Sequence, residues 1–372
     1  MNVKMIEKST SLTAIALQKF KKDFWGVLSL GYIILCGLVA VFAYAFAPDN
    51  SQNANQMHLS IHSKSLGFTV QMLTIPEANP TEQSFFDQLI FGTQTRATEL
   101  PISAYEIVGN RLIVTPYSEL SNNLAQTFIA SNFSNSKNIE EVIAKNSSQK
   151  TFYLGTDKYG RDLLSRVLVG ARISFFIGFV AVFISLLIGI FLGAIAGYYG
   201  GKIDAIIMWF INIAWSIPTL LLVIAITLAL GKGYWQVFIA VGLTMWVEVA
   251  RVVRGQILSV KKEQYVTAAR ALGFSDFRII FKHILPNILA PVIVISAANF
   301  AAAILIESGL SFLGIGAQPP TPSWGAMIKD HYSYIILGKP YLAIIPGLAI
   351  MSLVMAFMLI GNALRDALDV KN

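Results

Sequence analysis

Six predominantly apolar stretches punctuate the chain, at residues 25–47, 173–197, 205–230, 235–250, 288–306 and 341–361. About 20 apolar residues carry a helix across a hydrocarbon core of roughly 30 Å. The pattern therefore predicts an all-α polytopic membrane protein with six transmembrane helices. The fourth stretch is the shortest and ends near Glu248. The first contains Ala43-Tyr44-Ala45, which has the small-x-small form of a signal cleavage site. Its apolar run exceeds the roughly 7–15 residues of a signal peptide's hydrophobic region, and it reads as an uncleaved anchor.

Between the first two stretches the pattern changes. Residues 48–150 are polar and rich in Ser, Asn, Gln and Thr. FTVQMLTI (Phe68–Ile75) has strand character, and YEIVGNRLIV (105–114) reads as two strands joined at Gly109-Asn110, a hairpin signal. The segment is either a small insertion containing β-strands or a partly ordered spacer. His58 and His62 are four apart with no neighbouring carboxylate or thiolate in sequence, and they read as exposed polar residues.

Composition agrees with a membrane protein. Of 372 residues 55% are hydrophobic and 13% charged, with mean hydropathy +0.61; soluble domains carry about 25% charged residues. The net charge of +7 would suggest nucleic acid in a soluble protein. Here its placement matters more. Lys4, Lys8, Lys19, Lys21 and Lys22 precede the first span. Arg251, Arg254, Lys261, Lys262, Arg270, Arg278 and Lys282 lie between the fourth and fifth, against Glu263 and Asp276. Six spans put both groups on one side with the C-terminal tail, and the positive-inside rule makes that side the cytoplasm. The loop holding Lys329, Asp330 and Lys339 is nearly neutral and falls outside with the insertion. The single cysteine, Cys36, excludes an internal disulfide and a cysteine metal cluster.

The basic loop is patterned. Tyr265, Ala268, Ala269 and Leu272 recur at helical spacing, and Gly273 fits the position where a left-handed backbone ends a helix. Ser275 and Asp276 suit the start of a second helix, whose apolar stripe is Phe274, Phe277, Phe281 and Ile284 and whose stop is Pro286. Physics alone allows a basic helix pair resting on anionic lipid. GYYGGKID (197–204) is no phosphate loop, because G-x-x-x-x-G-K-[ST] fails at Ala196 and Ile203. Asp157 and Asp162 read as caps or turn residues, since a cation site would want a third ligand. Pro218 and Pro346 should kink their spans, for gating or for packing. Glu248 has Arg251 one turn on and reads as a local ion pair. Glu307 has no such neighbour and should face protein or water. Three prolines make 316–323 a rigid outer loop, and Trp324 suits a membrane interface. No catalytic constellation, metal site or cofactor motif is present in the sequence.

Four stretches carry a resemblance. YVTAARALG (265–273) followed by HILPN (283–287) resembles the cytoplasmic signature loop of ABC importer permeases. LGTDKYGRDLLSRVLVGARIS (154–174), GAQPPTPSWGAMI (316–328) and NALRDALD (362–369) resemble the C-type permease subunit of dipeptide/oligopeptide importers. The resemblance covers the first anchor and nearly all of 154–370; the insertion is longer than that subfamily leads one to expect. It implies a type I ABC importer permease fold, organised as 1–47 tail and first helix, 48–153 extracytoplasmic insertion, and 154–372 permease core with coupling loop 251–287. It implies docking on an ATPase through Tyr265, Ala268, Ala269, Arg270, Gly273, Leu285, Pro286 and Asn287. The usual acidic residue ahead of the alanine pair is absent, Thr267 standing there.

The function implied is a non-catalytic permease subunit in the bacterial inner membrane, forming half of a solute pathway. Its implied partners are a second permease, two cytoplasmic ATP-binding subunits and an extracytoplasmic solute-binding protein. Candidate pathway residues are Pro218, Glu307 and Pro346. The cargo the resemblance implies is a dipeptide or oligopeptide, with nickel or another small solute as the alternative. A stand-alone secondary transporter would want paired intramembrane carboxylates or interrupted helices, and no internal repeat supports one.

Overall fold

The computed structural model describes residues 12–76, 83–94, 97–118, 124–133 and 139–368. Lys4 and Lys8 of the basic tail and Asp369 of the last motif lie outside them. Helices α1 (Leu12–Lys22), α2 (Phe24–Val41) and α3 (Ala43–Phe46) come first. Strand β1 (Phe68–Ile75), helix α4 (Phe85–Phe91), strands β2 (Thr98–Val108), β3 (Arg111–Pro116) and β4 (Gln126–Ile129), helix α5 (Ile139–Asn146) and strand β5 (Ser147–Phe152) follow. Then come α6 (Leu163–Tyr199), α7 (Gly201–Ser216), α8 (Thr219–Leu230), α9 (Tyr234–Val260), α10 (Gln264–Ala271), α11 (Asp276–Arg278), α12 (Leu289–Phe312), α13 (Trp324–His331) and α14 (Tyr341–Leu368). Among the described residues, five helical stretches are long and apolar enough to cross a membrane, and α7 with α8 makes six if that bent pair is one span. The chain forms two compact units. One comprises the residues up to Gly37, Ser174–Gly316 and those from Ile350; the other comprises Leu38–Ile173 and Ala317–Ala349.

The second unit holds an antiparallel sheet in the order β4-β3-β2-β1-β5. Alternation along β1 sends Val70 and Met72 to one face, with Ile61 and Phe152. Leu73 turns to the other, where Ile102, Leu112 and Val114 pack under Phe133, Ile139 and Val142. The β2–β3 hairpin turns at Gly109-Asn110, with Gly109 at φ 59°, the first central position where a type II′ turn wants glycine. A β-containing insertion is therefore present, and the spacer alternative is set aside.

The fold also gives His58 the carboxylate that its sequence neighbours lack. His58 is buried, with Nε2 3.5 Å from Glu99 on β2, and Lys150 on β5 lies 2.7 Å from the same carboxyl oxygen. Burial pushes the Glu99 carboxyl up, but His58 and Lys150 outweigh it and hold it at about 2, below its ordinary 4.5. Because the folded value is depressed, the stabilisation is complete above pH 4.5 and is lost as pH falls towards about 2. Acid titration of the purified full chain should therefore show unfolding of the sheet in that window. Glu99→Gln should remove this component, making stability flatter with pH there and lower at neutral pH.

The loop 316–323 leads into α13, which Ser323 caps by accepting from the Ala326 N–H at 3.3 Å. Trp324 is not interfacial. It is buried, and its indole Nε1 donates to the Val167 carbonyl at 2.9 Å.

In the first unit α6 and α9 pack closely. A Cβ on Gly189 would meet Val249 and the Trp246 carbonyl, and one on Gly193 would meet the Ala250 carbonyl and Val253. Small residues at four-residue spacing let membrane helices approach where no hydrophobic effect drives them together. The third span is broken rather than kinked, with α7 and α8 bent by 92°. Ile217 sits at φ −93°, ψ 128°, the extended conformation that a following proline imposes, and Pro218 is the N-cap of α8. Pro346 stays inside the continuous helix α14.

Candidate functional site

Helix α10 ends in a double-bonded turn. The Gly273 N–H donates to the Arg270 carbonyl at 2.9 Å and the Phe274 N–H to the Ala269 carbonyl at 3.2 Å, with Gly273 at φ 74°. This is the Schellman arrangement, and the left-handed backbone is why glycine stands there. The faces of α10 differ from the expected stripe. Val266 and Ala269 point inward; Tyr265, Ala268, Arg270, Leu272 and Gly273 are exposed. Val266 and Ala269 join a core with Ala194 and Tyr198 of α6, Val249, Val253 and Ile257 of α9, and Ile279, Ile284 and Val292. The loop is thus bolted to three long helices at once.

Polar contacts fix the same joint. Arg270 lies over the Tyr198 ring at 5.0 Å, and the Tyr198 hydroxyl donates to Asp276 at 2.7 Å. Lys261 Nζ donates to the Gly197 carbonyl at 2.8 Å. Arg254 of α9 forks onto Asp204 of α7, with Nη2 2.6 Å from the carboxylate.

The second helix of the loop is not capped by Ser275, whose side chain makes no cap bond, and Pro286 does not stop it. After α11 the chain widens into a π turn over Ile279–Ile284, where the Leu285 N–H reaches back to the Ile280 carbonyl, and then tightens into a 3₁₀ turn over Leu285–Ile288. Proline cannot donate, and flanking wide and tight turns absorb the lost bond so that helix runs on into α12. Asn287 Nδ2 donates to the His283 carbonyl at 2.6 Å and stitches the turn. Leu285 is half-buried; Pro286 and Asn287 are exposed. Phe277 and Phe281 of the predicted apolar stripe lie exposed, with ring centroids 4.3 Å apart.

The candidate pathway residues are dispersed. Pro218 marks the α7–α8 elbow, Pro346 lies within α14, and Glu307 is buried in α12, accepting from Ser311 Oγ at 2.6 Å. The expected Glu248–Arg251 ion pair is not among the ion pairs of the described residues. Arg251 instead lies over the Trp215 ring at 3.5 Å and donates to Asn212 at 2.8 Å. Glu248 is left exposed beside a cavity of about 220 Å³ at the elbow. Sequence reasoning passed over it because the i+3 arginine offered a simpler partner.

Asp157 and Asp162 act as turn and cap residues, and Asp157 also pairs with arginine. It is fully buried and 2.7 Å from Arg161, while Asp162 accepts from the Ser165 N–H at 2.9 Å. Burial pushes the Asp162 carboxyl up. No group of three or more His, Cys, Asp or Glu placed to hold a metal occurs among the described residues.

Residues 189–371 match the family model described as binding-protein-dependent transport system inner membrane component. The chain is 44% identical over 219 residues to the dipeptide transport system permease protein of Alkalihalophilus pseudofirmus, which covers 59% of this chain and 72% of that one. It is 40% identical over 222 residues to the oligopeptide transport system permease protein of Bacillus subtilis, covering 60% and 72%. It is 42% identical over 219 residues to a glutathione transport system permease protein of Pectobacterium atrosepticum, covering 59% and 72%. In shape it has a TM-score of 0.45 to a chain of an inward-facing methionine ABC transporter, at 19% identity, covering 55% of this chain and 96% of that one. With such identity over more than two thirds of its relatives, this multi-pass chain belongs to the inner-membrane permease family of binding-protein-dependent ABC transporters.

Proposed function

We propose that the chain is the permease subunit of an ATP-driven importer of short peptides. The observation that carries the coupling role is the exposed face of α10, which presents Tyr265, Ala268 and Arg270 and is anchored through Val266 and Ala269 to a core shared with α6, α9 and α12. A rigid knob on three long helices transmits motion of a docked motor to the spans. Tyr265, Ala268, Arg270, Gly273, Leu285, Pro286 and Asn287 form or flank the docking surface, and Ala269 supports it from behind. ATP hydrolysis rests with two cytoplasmic partner subunits. A second permease completes the pathway, and a solute-binding protein delivers cargo. Both termini and the loop 251–287 face the cytoplasm, and residues 48–153 form an insertion on the other side, ahead of the core 154–372. Pro218, Glu307 and Pro346 serve in or beside the moving pathway.

The peptide cargo is supported by the names of the relatives. Uptake of a labelled dipeptide by cells with and without the chain tests it. Loss of the chain should abolish the uptake supported by its own partner subunits, and the wild-type gene should restore it. Unchanged peptide uptake, with loss of nickel uptake instead, would replace the peptide reading by the metal one.

A further inference from the structure

Glu248 is the fifteenth of the 27 residues of α9. At 1.5 Å per residue it lies about 21 Å from the helix start, towards the cytoplasmic end of the apolar run 235–250. An ionisable side chain in such a run is costly in lipid and belongs in a bundle interior or a water-filled cavity. The neighbouring cation, Arg251, is engaged with Trp215 and Asn212. The cavity beside Glu248 is lined also by Trp215, Thr219, Thr244, Ala302 and Ile306.

The cavity wall is mostly apolar, with side-chain oxygens from Thr219, Thr244 and Glu248. Breaking the third span leaves the last carbonyls of α7 without backbone N–H partners in their helix, and that end carries the negative pole of its dipole. Irregular backbone at membrane depth is tolerated only in protein or against water. Thr244 Oγ1 spends its proton on the Val241 carbonyl at 2.8 Å, so its lone pairs remain to accept. A carboxylate, a helix C-terminus and an accepting hydroxyl suit a compact cation with several N–H donors.

We propose that the elbow cavity is a cation subsite on the water-filled pathway, where Glu248 accepts the ammonium group of the transported solute. This rests on the importer reading, but its test does not depend on peptide uptake. Cys36 is the only cysteine of the chain, so Cys36→Ser gives a clean background. In the assembled transporter, Thr219→Cys is treated with cationic and anionic methanethiosulfonate reagents, and modification is read on this chain by mass. The cationic reagent should react faster by about tenfold, the low end of charge focusing in clefts. Glu248→Gln should abolish the preference, and methylammonium chloride should slow the cationic reagent more than sodium chloride at equal ionic strength. Thr244→Cys repeats the measurement should Thr219→Cys fail to assemble. Lack of reaction with either reagent at both positions would mean a lipid-facing or partner-covered site and overturn the proposal, as would a preference that survives Glu248→Gln. Intact charge preference in a transporter that takes up no peptide would overturn the peptide reading and leave the subsite standing.

Discussion

Leu272→Asp and Ala268→Glu are expected to strip the ATP-binding subunits from the purified transporter while leaving this chain folded. Leu272 is 72% exposed and Ala268 is also on the outer face, so neither substitution disturbs the core behind α10. In a docked interface both would sit where a partner excludes water, and an unpaired carboxylate there is costly. Central interface residues are worth about 2 kcal/mol or more, so affinity should fall by roughly 30-fold or beyond. Ala269→Glu makes the instructive contrast. Ala269 is 4% exposed and packs with Val266, so its carboxylate would be forced into the protein's own core. That variant should lose the folded chain itself. Copurification of ATPase with the Leu272 and Ala268 variants at wild-type stoichiometry, with uptake still tied to ATP turnover, would remove α10 as the coupling element.

Features written in local sequence were legible. Span positions follow from apolar length, strand β1 from its own residues, and the β2–β3 turn from Gly109-Asn110. The α10 terminus follows from one glycine with a positive φ. Features set by long-range packing were not. The face that α10 buries was misjudged because alanine spacing cannot say which side has a neighbour; Val266 turns inward because α6 and α9 end beside it. Pro218 and Pro286 show that proline alone does not fix its outcome. At Pro218 the chain turns by 92°, whereas at Pro286 wide and tight turns carry the helix through. The break at Pro218 also creates an interrupted helix pair, a mark that sequence reasoning reserved for secondary transporters. Its presence in an ABC permease means that the mark does not separate the two classes. His58 and Trp324 each gained a partner far away in sequence, and no local pattern announces those.

Asp157→Ala should be the most damaging single change in the unit that carries the sheet. The carboxylate is fully buried and accepts from the Tyr159 N–H at 2.8 Å, the Arg161 N–H at 3.0 Å and Arg161 Nε at 2.7 Å. Arg166 Nε lies 3.6 Å from the same carboxylate, and its Nη1 donates to the Asn53 carbonyl at 3.3 Å. Arg161 also donates to Asn55 at 2.9 Å, so one aspartate organises two buried guanidinium groups and the chain around residues 53–55. Deleting it leaves both cations buried without their anion, which typically costs about 3–5 kcal/mol. Arg161→Ala should cost less, because Asp157 would keep Arg166 and its backbone donors. Asp157→Asn, which keeps the shape and the backbone bonds but not the charge, should fall between. Thermal unfolding of the detergent-purified full chain, followed by tryptophan fluorescence with Trp324 of this unit as one reporter, ranks the three. If Asp157→Ala melts with the wild-type protein, the buried pair is not what holds this unit. If Arg161→Ala is the worse variant, the anion depends on Arg161 alone and Arg166 is a bystander.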